Sequence, residues 1–467
     1  MAHLKAAISA TGETVEMPSE RLSPREKIGY GLGDFASNVV FQSILILLPV
    51  FYTDVFGLAP AAMGLLFLVV RLFDTVIDPV VGIIADHTMT RWGKYRPYLL
   101  WFCVPFAVLF VFCYSTPGFG NSGKLIYAYL TYGGLMVLYT IINIPYCALG
   151  GVITADTEER VSANSYRFVL ATLAGVIMAY FSPKLVAHFG HGNPRLGYTW
   201  AMSVFGALAV FSFIMCFGLT RERITQAAPE KNSLRLDLLA LLRNDQWRIV
   251  AVLFFVLLIS VVLRAGAAAY YIKWFAGSPE LTAAFLTTGT VAQMIGASVA
   301  SWFSKRWDKV PSYIFSQIMI LMGSIGLYFV PGTNRILIFA LYAVINFFLQ
   351  MGAPLLFAMA ADCVEYGELK TGRRVTGLVF SGTLFALKLG VAVGGWLIGM
   401  VLELSGYHGS DTQQSRGAVA AIVLAVTLLP AIGHFFLIPI VAFYKLNRAR
   451  CEEIRRLLEE RRRLRGT

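Results

Sequence analysis

Residues 60–84 read PAAMGLLFLVVRLFDTVIDPVVGII. A helix rises 1.5 Å per residue, so an apolar run of this length crosses the roughly 30 Å hydrocarbon layer of a bilayer. Three ionisable residues nevertheless sit inside it: Arg71, Asp74 and Asp78. Their i, i+3, i+7 spacing places all three within about 60° on one helical face. A charged side chain at membrane depth costs roughly 2.5–3.5 kcal/mol on insertion scales, so it needs a partner or a function. An internal salt bridge from Arg71 can neutralise only one of the two carboxylates. The other is left for Lys388, in a later apolar run, or for a mobile cation, and the mobile cation is the favoured partner.

Comparable apolar runs lie near 31–55, 97–116, 124–149, 164–187 and 197–220, and again near 247–274, 281–304, 312–331, 335–360, 375–402 and 417–444. With 60–84 they predict an all-α integral membrane protein of twelve transmembrane helices in two six-helix domains. The predicted divisions are an N-terminal segment 1–24, a first domain 25–220, a central loop 221–246, a second domain 247–444 and a basic tail 445–467. The two halves echo each other. Asp156, Glu159 and Arg167 recur in spacing as Asp362, Glu365 and Arg373, and Arg91-Trp92-Gly93-Lys94 is matched by Arg306-Trp307-Asp308-Lys309. Such pairing points to a duplicated six-helix unit of a two-domain secondary transporter.

Composition agrees with this reading. The 467-residue chain is 57% hydrophobic and only 14% charged, against about 25% charged in soluble proteins. Its net charge of +12 does not signal nucleic acid, because the basic residues fall in short loops and in the tail. With both termini cytoplasmic, the outer loops hold Lys124, Lys184, Arg195, Lys273, Arg335 and Arg416, and Arg71, Arg264 and Lys388 lie within helices. About thirty of the 39 Lys and Arg residues then fall on the cytoplasmic side, as the positive-inside rule requires. The six cysteines have no metal-like or disulfide-like spacing. The polar first twenty residues contain no cleavable signal, so the first apolar run is expected to direct insertion. The Arg-rich tail from Arg455 to Arg463 suits a helix on anionic lipid or a solvated one.

Polar stripes recur in other helices. Asp34, Asn38 and Gln42 are each four apart on the first, Thr140, Asn143 and Cys147 repeat the i, i+3, i+7 spacing on the fourth, and Arg264 lies within the seventh. Stripes contributed by both halves predict a wet central cavity. No nucleophile, base or metal constellation is present, so neither an enzyme nor a cofactor is implied.

Several segments resemble the glycoside–pentoside–hexuronide:cation symporters of the major facilitator superfamily: residues 27–34 (KIGYGLGD), 51–54 (FYTD), 71–79 (RLFDTVIDP), 91–97 (RWGKYRP), 143–146 (NIPY) and 362–368 (DCVEYGE). The resemblance runs from about Arg25 to Tyr444. It implies a multi-pass bacterial inner-membrane symporter with both termini cytoplasmic, working by alternating access as a monomer among membrane lipids. Asp74 and Asp78 would bind the coupling cation, and the threonine at the position of Thr140 assists in sodium-using members. Lys388 would stand beside the cation and sugar, and Arg167 near the sugar. Asn38, Asn143 and Cys147 occupy positions where the melibiose permease has two aspartates and a tryptophan, which puts galactoside specificity in doubt. Ile77 replaces an asparagine that helps hold sodium, so a proton is favoured over Na+. With Arg167, Arg264 is expected to face the substrate and to widen tolerance for uronides or sulfonated sugars, although a neutral glycoside is favoured. A lysolipid or other amphiphile carrier of the same fold, and a membrane-embedded enzyme, are the rival readings.

Overall fold

In the computed structural model, Ser23 opens the first helix. Its side chain accepts the Glu26 amide, the Glu26 carboxylate accepts the Ser23 amide, and Pro24 takes the first helical position. The cap starts the helix seven residues before the predicted boundary at 31, because the charged residues Arg25, Glu26 and Lys27 extend it beyond its apolar part. The structure describes residues 6–8, 14–16, 21–154, 157–223, 234–373 and 375–465. Apart from a three-residue antiparallel pair, Ala6–Ile8 with Thr14–Glu16, the regular structure of the described residues is helical.

Twelve spans run back and forth. α1 is Pro24–Ile46, continued at 49° by Leu48–Phe56. The bend falls at Leu47 and Pro49, where proline removes a ladder hydrogen bond. α2 is Pro60–His87, α3 Arg96–Cys113, α4 Asn121–Val152, α5 Thr157–Gly190 and α6 Pro194–Leu219. α7 is Asp245–Tyr270, α8 Thr282–Trp307, α9 Lys309–Phe329, α10 Arg335–Thr371 and α11 Thr376–Leu404, while α12 comprises Arg416–Val426 and Leu428–Ala442. Eleven are long and apolar enough to cross a bilayer singly, and the bent α1 makes twelve. Arg264 and Lys273 do not break α7, which runs on into a π turn, Tyr271–Phe275. The first span of the other half ends in a π turn too, Phe51–Phe56.

The central segment is not all loop. Leu234–Arg243 is a helix with Leu236, Leu238, Leu239 and Leu242 exposed along it, an amphipathic pattern within a stretch whose charges suggested only loop. Asp237 ties it to Arg373. The tail is a helix, Arg448–Arg465, held against α10 by Arg455 to Glu365 at 2.9 Å and by Arg461 to the Leu369 carbonyl at 3.0 Å. The matched acidic loops are only partly equivalent in structure. Asp362 and Glu365 lie within α10, Glu159 lies in α5, and Asp156 is outside the described residues. Glu159 pairs with Lys27 at 2.9 Å, and Asp362 pairs with Lys309. Each half therefore uses one of these acids to tie its helices at the end of the bundle where the chain enters α1 and leaves α12. Glu222 does the same for α3, accepting the amides of Lys94, Tyr95 and Arg96 at 2.8–2.9 Å.

The halves α1–α6 and α7–α12 meet chiefly where α2 packs on α11 and α5 on α8. At the far end, opposite the chain termini, they are tied together. Asp54 of the first π turn pairs with Lys273 of the second at 2.5 Å and accepts the Tyr407 hydroxyl at 2.7 Å. Thr53 meets the Tyr270 hydroxyl at 2.8 Å, and Glu403 accepts the Ala61 amide at 3.1 Å. Among the described residues, the only other hydrogen bonds between the halves are those of Lys388. The far end is thus shut, and the space between the halves opens toward the chain termini.

Candidate functional site

Lys388, near the middle of α11, reaches across to the acids near the middle of α2. Its Nζ lies 3.1 Å from Asp74, and 2.7 and 2.5 Å from the two oxygens of Asp78. The Thr140 hydroxyl on α4 donates into the same pair, bonded to Asp74 and 3.2 Å from Asp78. Asp74 is 1% exposed, whereas the Asp78 side chain is 27% exposed, so Asp78 is the carboxylate nearer the opening. The internal salt bridge open to Arg71 is not made. Among the described residues no ion pair joins Arg71 to either acid. Its guanidinium lies over the Phe41 ring, 5.3 Å from the centroid, and Nη2 is buried without a hydrogen bond. Lys388 therefore holds the place in which a mobile cation was favoured. A cavity of about 20 Å³, bordered by Arg71, Tyr132, Gly266 and Ile398, lies between the halves here.

A second polar group lines the first half. Arg167 on α5 donates from Nε to Asp34 on α1 at 2.8 Å, and Nη2 approaches the Cys147 sulfur at 3.8 Å. Its guanidinium also lies 5.3 Å from the centroid of the Tyr146 ring. Asn38, one turn beyond Asp34, donates to the Asp34 carbonyl at 2.9 Å and to its carboxylate at 3.3 Å. Asn143 is half-buried and makes no side-chain hydrogen bond among the described residues, which leaves an amide able to donate to and accept from a hydroxyl. Cys147 is exposed, and the other five cysteines are buried. A membrane-impermeant maleimide applied to the face bearing the chain termini is therefore expected to label Cys147, and from the opposite face to leave it unlabelled. Mass spectrometry of the alkylated protein reads this directly. Equal labelling from both faces would contradict the one-sided opening.

Of the nine predicted site residues, Asp74, Asp78, Thr140 and Lys388 come together as one cluster, and Asn38, Cys147 and Arg167 as another, with Asn143 between the two on α4. Arg264 does not join them. It is 2% exposed within the second half, where Nε donates to the Val426 carbonyl at 2.9 Å and Nη2 to Ser324 at 2.8 Å. The expectation that it faces substrate is corrected by helix phase. Val262 and Gly266 border the cavity between the halves, and residue 264 lies about 200° from each around α7. Asp34 was legible as part of a stripe on α1 but was not taken as a site residue. Its signal was the i, i+4 relation to Asn38. Asp54 and Lys273 could have been found by matching the ends of the first helix in each half.

Two six-span halves, tied shut at one end and sharing an ionic cluster at mid-depth, define a secondary transporter of the major facilitator type. The family described as MFS/sugar transport protein matches residues 29–448, and the chain belongs to it. It is 42% identical to the inner membrane symporter YicJ of Escherichia coli (strain K12) over 89% of this chain and 90% of that protein. It is 39% identical to the putative glycoside/cation symporter YagG of the same organism, over 96% and 97% of the two chains. The isoprimeverose transporter of Lactiplantibacillus pentosus is 32% identical over 96% and 94%. Among solved structures, a bacterial homologue of the lysosomal transporter Spinster superposes with a TM-score of 0.66 over 90% of this chain and 96% of that one, at 14% identity. The nucleoside transporter NupG gives 0.63 over 90% and 100%, also at 14%. These two likenesses concern the fold.

Proposed function

We propose that the protein is a sugar or glycoside symporter of the bacterial cytoplasmic membrane, coupled to a cation, with the proton favoured over sodium. The observation that carries this reading is Lys388. It stands on one half and bridges Asp74 and Asp78 on the other, and Asn38, Asn143, Cys147 and Arg167 lie on the same half as the two acids. A cation or proton arriving at the carboxylates competes with Lys388, so loading changes the bonding between the halves. A sugar between them adds contacts to both. A step that both ligands favour and one alone favours poorly is coupling in the thermodynamic sense.

The proton is favoured by the ligand set. Hard cations bind several oxygens, and the oxygens facing Lys388 belong to Asp74, Asp78 and Thr140, with apolar Ile77 between the two acids in sequence. A proton needs only one carboxylate. The relatives named as symporters support a coupling cation. The polar stripes favour a hydrophilic substrate over the lysolipid alternative. The count of basic residues on the two faces supports cytoplasmic termini, and a monomer surrounded by lipid suffices for the mechanism.

Uptake into proteoliposomes, with xylosides, galactosides and glucuronides under imposed proton or sodium gradients, tests the reading. A proton gradient in sodium-free buffer is expected to drive accumulation. Uptake that follows sodium alone at constant pH would overturn proton coupling. Accumulation of none of the sugars under either gradient would overturn sugar symport.

A further inference from the structure

We propose that Asp34 determines the charge of the substrate, by neutralising Arg167 and so restricting the cavity to uncharged glycosides. The inference rests on the sugar-transport reading above. An arginine in a sugar cavity is ordinarily an invitation to a carboxylate, through charge-assisted and often bidentate bonds. Here its charge is already paired. Arg167 gives its Nε–H to one oxygen of Asp34 at 2.8 Å, and the other oxygen accepts from Asn38 at 3.3 Å. The Asp34 side chain is only 10% exposed, while that of Arg167 is 22% exposed. The acid is thus the more deeply buried of the two.

The charges at this level of the bundle then cancel. Arg71, Arg167 and Lys388 are matched by Asp34, Asp74 and Asp78. Arg264, the other arginine that could have favoured an anion, is held inside the second half by Val426 and Ser324. An anionic sugar would add a charge with no counter-charge, or would have to take Arg167 from Asp34 and strand a buried carboxylate. Either outcome is unfavourable where water is scarce. A neutral sugar meets neither obstacle. It finds the free amide of Asn143, the exposed part of Arg167 and the Cys147 thiol, all compatible with hydroxyls.

Two sugar pairs isolate the charge, because a glucuronide is a xyloside carrying a carboxylate at C5, and a galacturonide is an L-arabinoside carrying one there. Binding of 4-nitrophenyl xyloside against glucuronide, and of arabinoside against galacturonide, is measured by calorimetry on the full-length protein in nanodiscs. The wild type is expected to bind the neutral member at least about 10-fold more tightly, the scale of one charged hydrogen bond. Asp34→Asn keeps the shape and releases Arg167, and is expected to shift the ratio by about 10-fold or more toward the uronide. Adding Arg167→Gln to Asp34→Asn should cancel that shift, which a merely structural role for Asp34 would not produce. Asp34→Ser serves as a second variant if the first folds poorly. A wild type that binds uronides as tightly as the neutral sugars overturns the inference, as does an unchanged ratio in a variant that still binds. If the wild type binds no member of either pair, the sugar reading itself falls.

Discussion

Replacing Asp74 or Asp78 by asparagine is expected to abolish accumulation against a gradient while leaving exchange of preloaded sugar in place. Both carboxylates lie where the middle of α2 faces α11, bonded to Lys388 and Thr140. Asparagine preserves the shape and some hydrogen bonding, but it can neither take up a proton nor balance a cation. The link between cation loading and movement of the halves is therefore cut. One charge moved per cycle across 100 mV stores about 2.3 kcal/mol, which sustains a concentration ratio of about 50. In either variant the ratio should fall to about 1. Intravesicular sugar measured at steady state, with and without an imposed gradient, gives the answer. Full concentrative uptake by both variants would remove the carboxylates from the coupling mechanism.

A leucine at Gly64 or Gly399 should slow transport by about 10- to 100-fold, by preventing closure of the far end. At this crossing α2 and α11 approach backbone to backbone. A Cβ at Gly64 would lie 2.8 Å from the Trp396 carbonyl oxygen, and one at Gly399 would lie 2.7 Å from the Gly64 Cα. Neither obstacle is a side chain that can rotate away, so the helices must part. Overpacking of this kind costs about 1–3 kcal/mol, set here against the shut arrangement alone because each half keeps its own packing. The Asp54–Lys273 pair and the Tyr407 and Tyr270 hydroxyl contacts lie at the same end, and their geometry would be strained with it. Cys147 should then become reachable by maleimide from the far face. Wild-type transport rates in both variants, with labelling still confined to the terminal face, would show that this crossing does not govern closure.

Much of the architecture is legible in composition and spacing, because a bilayer imposes its own ruler. An apolar run of about twenty residues has few alternatives in hydrocarbon, and twelve such runs gave twelve spans. Helix ends were less accurate. Ser23 caps α1 well outside its apolar window, and the amphipathic Leu234–Arg243 lay hidden in a charged stretch.

Within the site, the i, i+3, i+7 spacing of Arg71, Asp74 and Asp78 was enough to mark an ionic face on α2, since helical geometry alone sets it. Its partner was not determined there. One arginine and two acids admit several pairings, and Lys388, some three hundred residues away, wins because α11 packs along α2 and brings its side chain to that depth. Arg264 is the opposite case. Its sequence context, a charge in an apolar run, is like that of Arg71, yet its phase on α7 turns it into the second half toward Val426 and Ser324. Whether Arg167 offers a free charge or a neutralised one likewise depends on the lateral distance between α1 and α5, which brings Asp34 to 2.8 Å. The sequence by itself determined the membrane, the number of spans and the list of charged residues at depth, because these follow from local length and periodicity. Only the tertiary structure decided which charge meets which, because pairing depends on how helices cross, and no local pattern encodes a crossing.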